Sequence, residues 1–189
     1  MKTHDFLLEL GTEELPPKLL INLSNSLRDN LVEVLKQLGI EIGKVSAFAT
    51  PRRLAVCIFN IQSHQEDQLI ERKGPSVGSP EKAIEGFAKS CGVDINSLEK
   101  RSLGGKKYYF FHVKELGQPI KDLLPTVVEK AIKNIPITRA MKWGESDYSF
   151  ARPVHWLVML LDDEVVPANI MGLASGDTTK GLRSSDSSS

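Results

Sequence analysis

One strand entrance is written twice in this chain. Residues 48–56 read FATPRRLAV, and residues 150–158, 102 positions later, read FARPVHWLV. The offset extends beyond these stretches: Pro17 matches Pro119, Phe48 matches Phe150, Ala49 matches Ala151, Pro51 matches Pro153 and Val56 matches Val158.

Around both copies the apolar periodicity runs in one order: strand, proline-started helix, strand, strand. DFLLELG reads as a strand ending at the turn residue Gly11. From Pro17 to Leu38 the residues Leu20, Leu23, Leu27, Leu31, Val34, Leu35 and Leu38 recur at threes and fours, which marks one apolar helix face. Proline suits the first helical turn, where its missing N–H would have no partner, and Gly39 supplies a stop. KVSAFAT and RRLAVCIFNIQ follow as strands, and residues 67–72 offer a further one. The segment KGPSVGSP, 73–80, is rich in turn formers and is expected to loop before a short helix over 81–90. KKYYFFHVKEL is a strand, Pro119 starts a helix reaching about Lys133, and PVHWLVMLL and EVVPANIMG meet at Asp162-Asp163, a hairpin turn.

These elements predict an α+β fold of two β-α-β-β units with helices packed on a mixed or antiparallel sheet. The units are expected at 1–74 and 101–181, with a loop and short helices over 75–100 between them. Internal duplication would account for the constant offset. Chance likeness between generic strand and helix segments is the other reading.

Composition narrows the class of function. The 24 basic and 24 acidic side chains cancel, so a nucleic-acid partner would have to be met by a local basic patch. Cys57 and Cys91 stand alone without a CxxC pair, which fits a reducing cytoplasm and neither a disulfide scaffold nor a zinc site. No run approaches the roughly 18 apolar residues of a membrane helix, and Asp5 and Glu9 interrupt any signal-peptide reading of the N-terminus. A cytoplasmic chain without a membrane partner is expected. Residues 182–189 read LRSSDSSS, a composition that buries no core and points to a disordered or appended tail.

The search for chemistry returns little. GDTTKG has the wrong order for a phosphate-cradling loop, no HExxH or G-x-S-x-G occurs, and His4, His64, His112 and His155 are scattered. No catalytic centre and no metal site are legible. Glu13 and Glu14 would act either as acids or as partners for the positive end of the following helix, and a hydrolase built on them lacks a nucleophile. Cys57, within AVCIF, reads as a packed strand residue.

Two groups suit RNA. Arg52, Arg53, Arg72 and Lys73 would form a phosphate-contacting patch or a solvated strand end; Arg52 and Arg53, if both in a strand, point to opposite faces. Arg139, Lys142 and Arg152 interleave with Trp143, Tyr148 and Trp156, either as cations and stacking rings for RNA or as a partly buried aromatic cluster. KRSLGGKK, 100–107, looks like a charged hairpin tip.

Five stretches in order carry a family resemblance: LLELGTEELPPKLL, FATPRRLAV, the RKGPS loop, KAIEGFAKSCGV and MKWGESDYSFARPVHWLVMLL. Together, over about residues 5–181, they resemble the N-terminal part of the β subunit of bacterial heterotetrameric glycyl-tRNA synthetase. The resemblance implies an α2β2 ligase that joins glycine to tRNA(Gly) with ATP and magnesium. It implies that adenylate formation resides in the α subunit and that the β subunit serves tRNA binding and charging. This segment would then be non-catalytic and without a cofactor of its own, contacting tRNA, the α subunit or both; a pure assembly scaffold is the alternative. Family members continue after TTKG with a histidine-arginine-phenylalanine stretch toward an anticodon-reading domain. LRSSDSSS stands there instead, so a fragment is expected.

Overall fold

The computed structural model describes residues 2–137, 140–143 and 148–181. In chain order its elements are β1 (Thr3–Thr12), α1 (Pro17–Gln37), β2 (Val45–Thr50), β3 (Arg53–Gln62), β4 (Gln68–Ser76), α2 (Glu81–Cys91), β5 (Glu99–Leu103) and β6 (Lys106–Glu115). There follow α3 (Ile120–Lys133), β7 (Met141–Lys142), β8 (Ser149–Phe150), β9 (Val154–Leu161), β10 (Glu164–Val165), β11 (Asn169–Ile170) and β12 (Leu173–Gly176). They divide into two compact units, residues 1–65 with 118–189, and residues 66–117. The second unit is therefore an insertion into the first. The expected boundaries at 74 and 100 both fall inside it, within β4 and β5. Residues 182–189 lie outside the described residues.

The first unit is a mixed sheet of seven strands in the order β11-β12-β9-β1-β3-β2, with β10 also on β9. β1 is central and antiparallel to both neighbours, and β12 runs parallel to β9. Side chains alternate across a strand, so directly paired residues share a face. Three rows fill one face: Ile58–Phe6–Leu161, Val56–Leu8–Met159 and Leu54–Leu10–Leu157. All nine are buried and join Leu23, Leu27 and Leu31 of α1 and Leu124, Val127 and Val128 of α3 in one core. The leucine stripe of α1 thus has the partner its periodicity called for. Gly39, at φ +70°, closes the helix: its N–H bonds to the Lys36 carbonyl at 3.0 Å and that of Ile40 to Leu35 at 3.0 Å. The opposite sheet face carries the rows Cys57–Leu7–Leu160, Ala55–Glu9–Val158 and Arg53–Gly11–Trp156.

The recurring order of elements is present as β1-α1-β2-β3 and β6-α3-β8-β9, yet an internal duplication is not shown. β1 pairs with β3, whereas β6, its counterpart at the offset of 102, pairs with β4 and β5 in another sheet. β3 and β9 do flank β1 on either side, but their register across it is 103: Arg53 lies level with Trp156 and Leu54 with Leu157. A one-residue slip exchanges faces. Leu54 therefore enters the core while its sequence match, Trp156, lies on the opposite face.

The second unit is a three-stranded antiparallel sheet, β4-β6-β5, with α2 and a short 3-10 turn (Ile95–Ser97). Its own small core holds Ile84, Ala88, Leu98 and Tyr109, with Phe87 and Phe111 against them. β4 runs on to Ser76, into the stretch expected to loop, through a register shift between Lys73 and Ser76. β5 and β6 form a hairpin through Gly104 and Gly105 at φ +59° and +82°, positive values that a two-residue turn matching strand twist requires. Among the described residues no helix is long and apolar enough to cross a membrane.

Candidate nucleic-acid interface

Both copies of the repeated entrance open at the same end of the sheet, where β1 finishes and its two antiparallel neighbours begin. Arg53 stands on one side of Gly11 and Trp156 on the other. Two residues back on the same face is Glu9, a carboxylate only 7% exposed. A buried charge needs donors, and Glu9 Oε1 has them: the Trp156 indole N–H at 2.7 Å and the Thr179 hydroxyl at 2.5 Å. The Arg53 Nε, buried and 3.4 Å away, makes no hydrogen bond there and holds Glu9 as an ion pair.

The residues after β12 cross this face. Thr179 reaches Glu9, the Lys180 carbonyl accepts a hydrogen bond from Arg53 Nη2 at 2.5 Å, and the Lys180 ammonium lies 5.8 Å from the Trp156 ring centroid. Arg53 approaches the same ring at 6.0 Å, so the indole has cations near it from two elements. Beside this arrangement lies a cleft of about 630 Å³ whose walls include Glu14, Arg52, Arg53, His155, Trp156 and Lys180.

Arg52 and Arg53 both line the cleft, contrary to the opposite-face expectation. The reason is local: Pro51 and Arg52 form the turn between β2 and β3, and the alternating strand starts only at Arg53. Arg53 is committed to Glu9 and Lys180. Arg52 has no side-chain hydrogen bond or ion pair among the described residues, while its carbonyl accepts from the Thr12 N–H at 2.9 Å.

Glu13 and Glu14 lie just before α1, whose N-terminus has no side-chain cap. Glu13 meets His155 Nε2 at 2.7 Å, and the Glu14 carbonyl accepts from Arg152 Nε at 3.3 Å. Arg152 also places Nη1 3.0 Å from the Met141 sulfur. Lys142 is exposed on β7, and Trp143 and Tyr148 are half-buried against the main core, so packing engages these rings. Arg139 lies outside the described residues. Arg72 and Lys73 belong to the second unit, where Arg72 lies 3.4 Å from Glu115 and the Lys73 ammonium 3.9 Å above the Tyr108 ring. The expected basic set therefore divides between the units: Arg52 and Arg53 share a site, and Arg72 and Lys73 sit on another sheet.

Glu9, Thr179 and Lys180 were not foreseen. A carboxylate inside the apolar run LLELG was the available sign, because a charge at a strand position flanked by leucines demands partners. Burial, and then the charge of Asp5, push the Cys57 thiol up, away from a reactive thiolate. Among the described residues no group of three or more His, Cys, Asp or Glu side chains is placed to hold a metal ion. Cations and an indole beside an open cleft can receive a phosphate and a base.

The sequence profile of the family described as "Glycyl-tRNA synthetase beta subunit" matches residues 6–189. Curated relatives agree. The glycine–tRNA ligase beta subunit of Haemophilus influenzae (strain ATCC 51907 / DSM 11121 / KW20 / Rd) is 40% identical over 190 residues, spanning 97% of this chain and 28% of the relative. That of Chromohalobacter salexigens is 41% identical over 189 residues, with 97% and 28% covered. That of Marinobacter nauticus is 40% identical over 190 residues, with 97% and 27% covered. The chain thus spans little more than a quarter of the length of these relatives.

Proposed function

The chain belongs to the glycyl-tRNA synthetase beta subunit family, and from that premise we propose that it is a non-catalytic N-terminal module which helps hold tRNA(Gly) for charging. In this reading ATP and magnesium act in the α subunit of a cytoplasmic α2β2 assembly, and this module supplies binding. Arg52 takes a phosphate at the cleft, Lys180 adds a second cation, and the Trp156 ring offers a face for an unpaired base. One observation carries the reading: Arg53 and Trp156 flank Gly11 at the same level, which puts both entrances on a single cleft.

The test is a titration of this chain with labelled tRNA(Gly) at two salt concentrations. Binding is expected to weaken with salt by a log–log slope of roughly 0.7 to 0.9 per phosphate contact, and Arg52→Ala should remove about one such contact. An absence of binding at low salt would overturn it.

A second reading, assembly with the α subunit alone, draws on the helix-free sheet face, where Phe48 is 59% and Phe59 38% exposed. Contiguous apolar patches of a few hundred Å² mark contact surfaces, so the reading requires these rings to belong to one. Retained α-subunit association with no RNA affinity would favour it.

A further inference from the structure

The second unit carries a charged feature that the cleft does not use. Lys100, Arg101, Lys106 and Lys107 place four cations in eight residues without an acid among them, in a chain of zero net charge. They sit on the β5–β6 hairpin, and from Glu99 to Lys107 every residue is exposed. At its base the Val77 N–H bonds to the Lys107 carbonyl at 2.8 Å, so the ribbon stands on two strands only beyond that point. Alternation then distributes the charge. Arg101 and Lys106 share one face with Lys73 of β4, while Lys100 and Lys107 take the other. The nearest acids are engaged: Arg101 binds Glu71 at 2.7 Å and Glu99 at 3.2 Å. Lys100, Lys106 and Lys107 have no carboxylate partner among the described residues.

A patch meant for a flat anionic surface needs cations on one face only. A two-stranded ribbon that carries them on both faces suits a groove, whose two walls are both lined with phosphates. We propose that the β5–β6 hairpin is an arm that enters a groove of duplex RNA and holds phosphates on both walls through Lys100, Lys106 and Lys107. That groove is the wide minor groove, because the major groove of A-form RNA is too narrow to admit even single side chains, and Ser102 and Leu103 at the tip offer no hydrogen-bonding fork for a base edge. The arm therefore binds by shape and charge, with little preference for base sequence. It deepens the RNA-binding reading above but does not depend on the cleft.

The experiment uses this chain, a blunt RNA duplex without unpaired nucleotides, and a single strand of the same length. The variant Lys100→Ala/Lys106→Ala/Lys107→Ala should lose duplex affinity and flatten its salt slope by about 0.7 to 0.9 for each contact removed, with single-strand binding largely kept. Restoring the charge as arginine at all three positions should restore duplex binding. The cleft variant Arg52→Ala should do the reverse, so failure of one site is separable from failure of the other. Unchanged duplex binding in the triple variant overturns the proposal. So does equal loss on duplex and single strand, which would mean unspecific charge. Loss of α-subunit association with RNA binding intact would assign the arm to an acidic protein surface and overturn it as well.

Discussion

The indole of Trp156 occupies the space that a side chain at position 11 would need: a Cβ placed on Gly11 would fall 1.9 Å from its Cε2. A ring this close cannot yield by a rotamer change of a flexible tip. Gly11→Ala should destabilise the first unit by about 1 to 3 kcal/mol, the usual cost of overpacking, by driving the ring off Glu9. The two positions should also be coupled: Gly11→Ala in a Trp156→Ala background should cost much less than in the parent. Urea unfolding of the four proteins measures the coupling, and additive costs would refute the steric account.

Glu9 predicts a graded series. Glu9→Gln keeps an oxygen for the Trp156 N–H and the Thr179 hydroxyl and loses only the ion pair with half-buried Arg53. Glu9→Ala leaves the part-buried indole N–H of Trp156 without its acceptor, which costs about 1 kcal/mol. The alanine variant should also shift Trp156 fluorescence toward that of a wetter environment. Equal destabilisation by glutamine and alanine would mean that charge, rather than the hydrogen bonds, holds the site.

Arg52 and Arg53 should separate binding from folding. Arg52→Ala touches no side-chain partner and should stay within about 0.5 kcal/mol of the parent in stability, with weaker RNA binding. Arg53→Ala breaks the ties to Glu9 and to the Lys180 carbonyl and should lower stability as well. Thermal unfolding read beside RNA titration checks both. Matching losses of stability in the two variants would contradict their different surroundings.

Acid sensitivity should concentrate at the turn after β9. The His4 ring bonded to Asp162 at 2.6 Å, and then the Asp5 N–H, hold the Asp162 carboxyl below the usual range. Lys121 does the same for Glu164. A carboxylate lowered by folding adds stability that is present above its unfolded pKa of about 4 and is lost as pH falls through the lower folded value. The stability advantage of the parent over Asp162→Asn should therefore shrink between about pH 5 and pH 3. A constant difference across that range would refute the assignment.

Local physics made much of this fold legible. The leucine spacing of α1, its proline start and Gly39 stop, the Asp162-Asp163 turn and the alternation of β1 and β3 each depend on neighbours within a few residues. The pairing of β6 away from β9 did not, because nothing in KKYYFFHVKE distinguishes a strand of one sheet from a strand of another. The offset of 102 is a fact along the chain, whereas the sheet obeys burial, which set the register at 103. Glu9 shows the same limit at the site: its partners Trp156 and Thr179 lie 147 and 170 residues away. The partners of the proposed reading would act on surfaces, and the residues that would suit them, such as Arg52, are visible in the sequence as charges without their surroundings.

The insertion of residues 66–117 has a consequence for how such a chain can vary. Its two stems are stitched together within the first unit, with the Gln65 N–H bonded to the Gln118 carbonyl at 2.9 Å and the Ile120 N–H to the Ser63 carbonyl at 2.8 Å. The first unit experiences the insert as a closed loop whose length matters little, since each doubling adds only about 0.6 kcal/mol of closure entropy. In closure entropy alone, whatever segment evolution or an engineer mounts between Gln65 and Gln118 can therefore be lengthened or exchanged at little cost to the sheet that holds Glu9, Arg53 and Trp156 together.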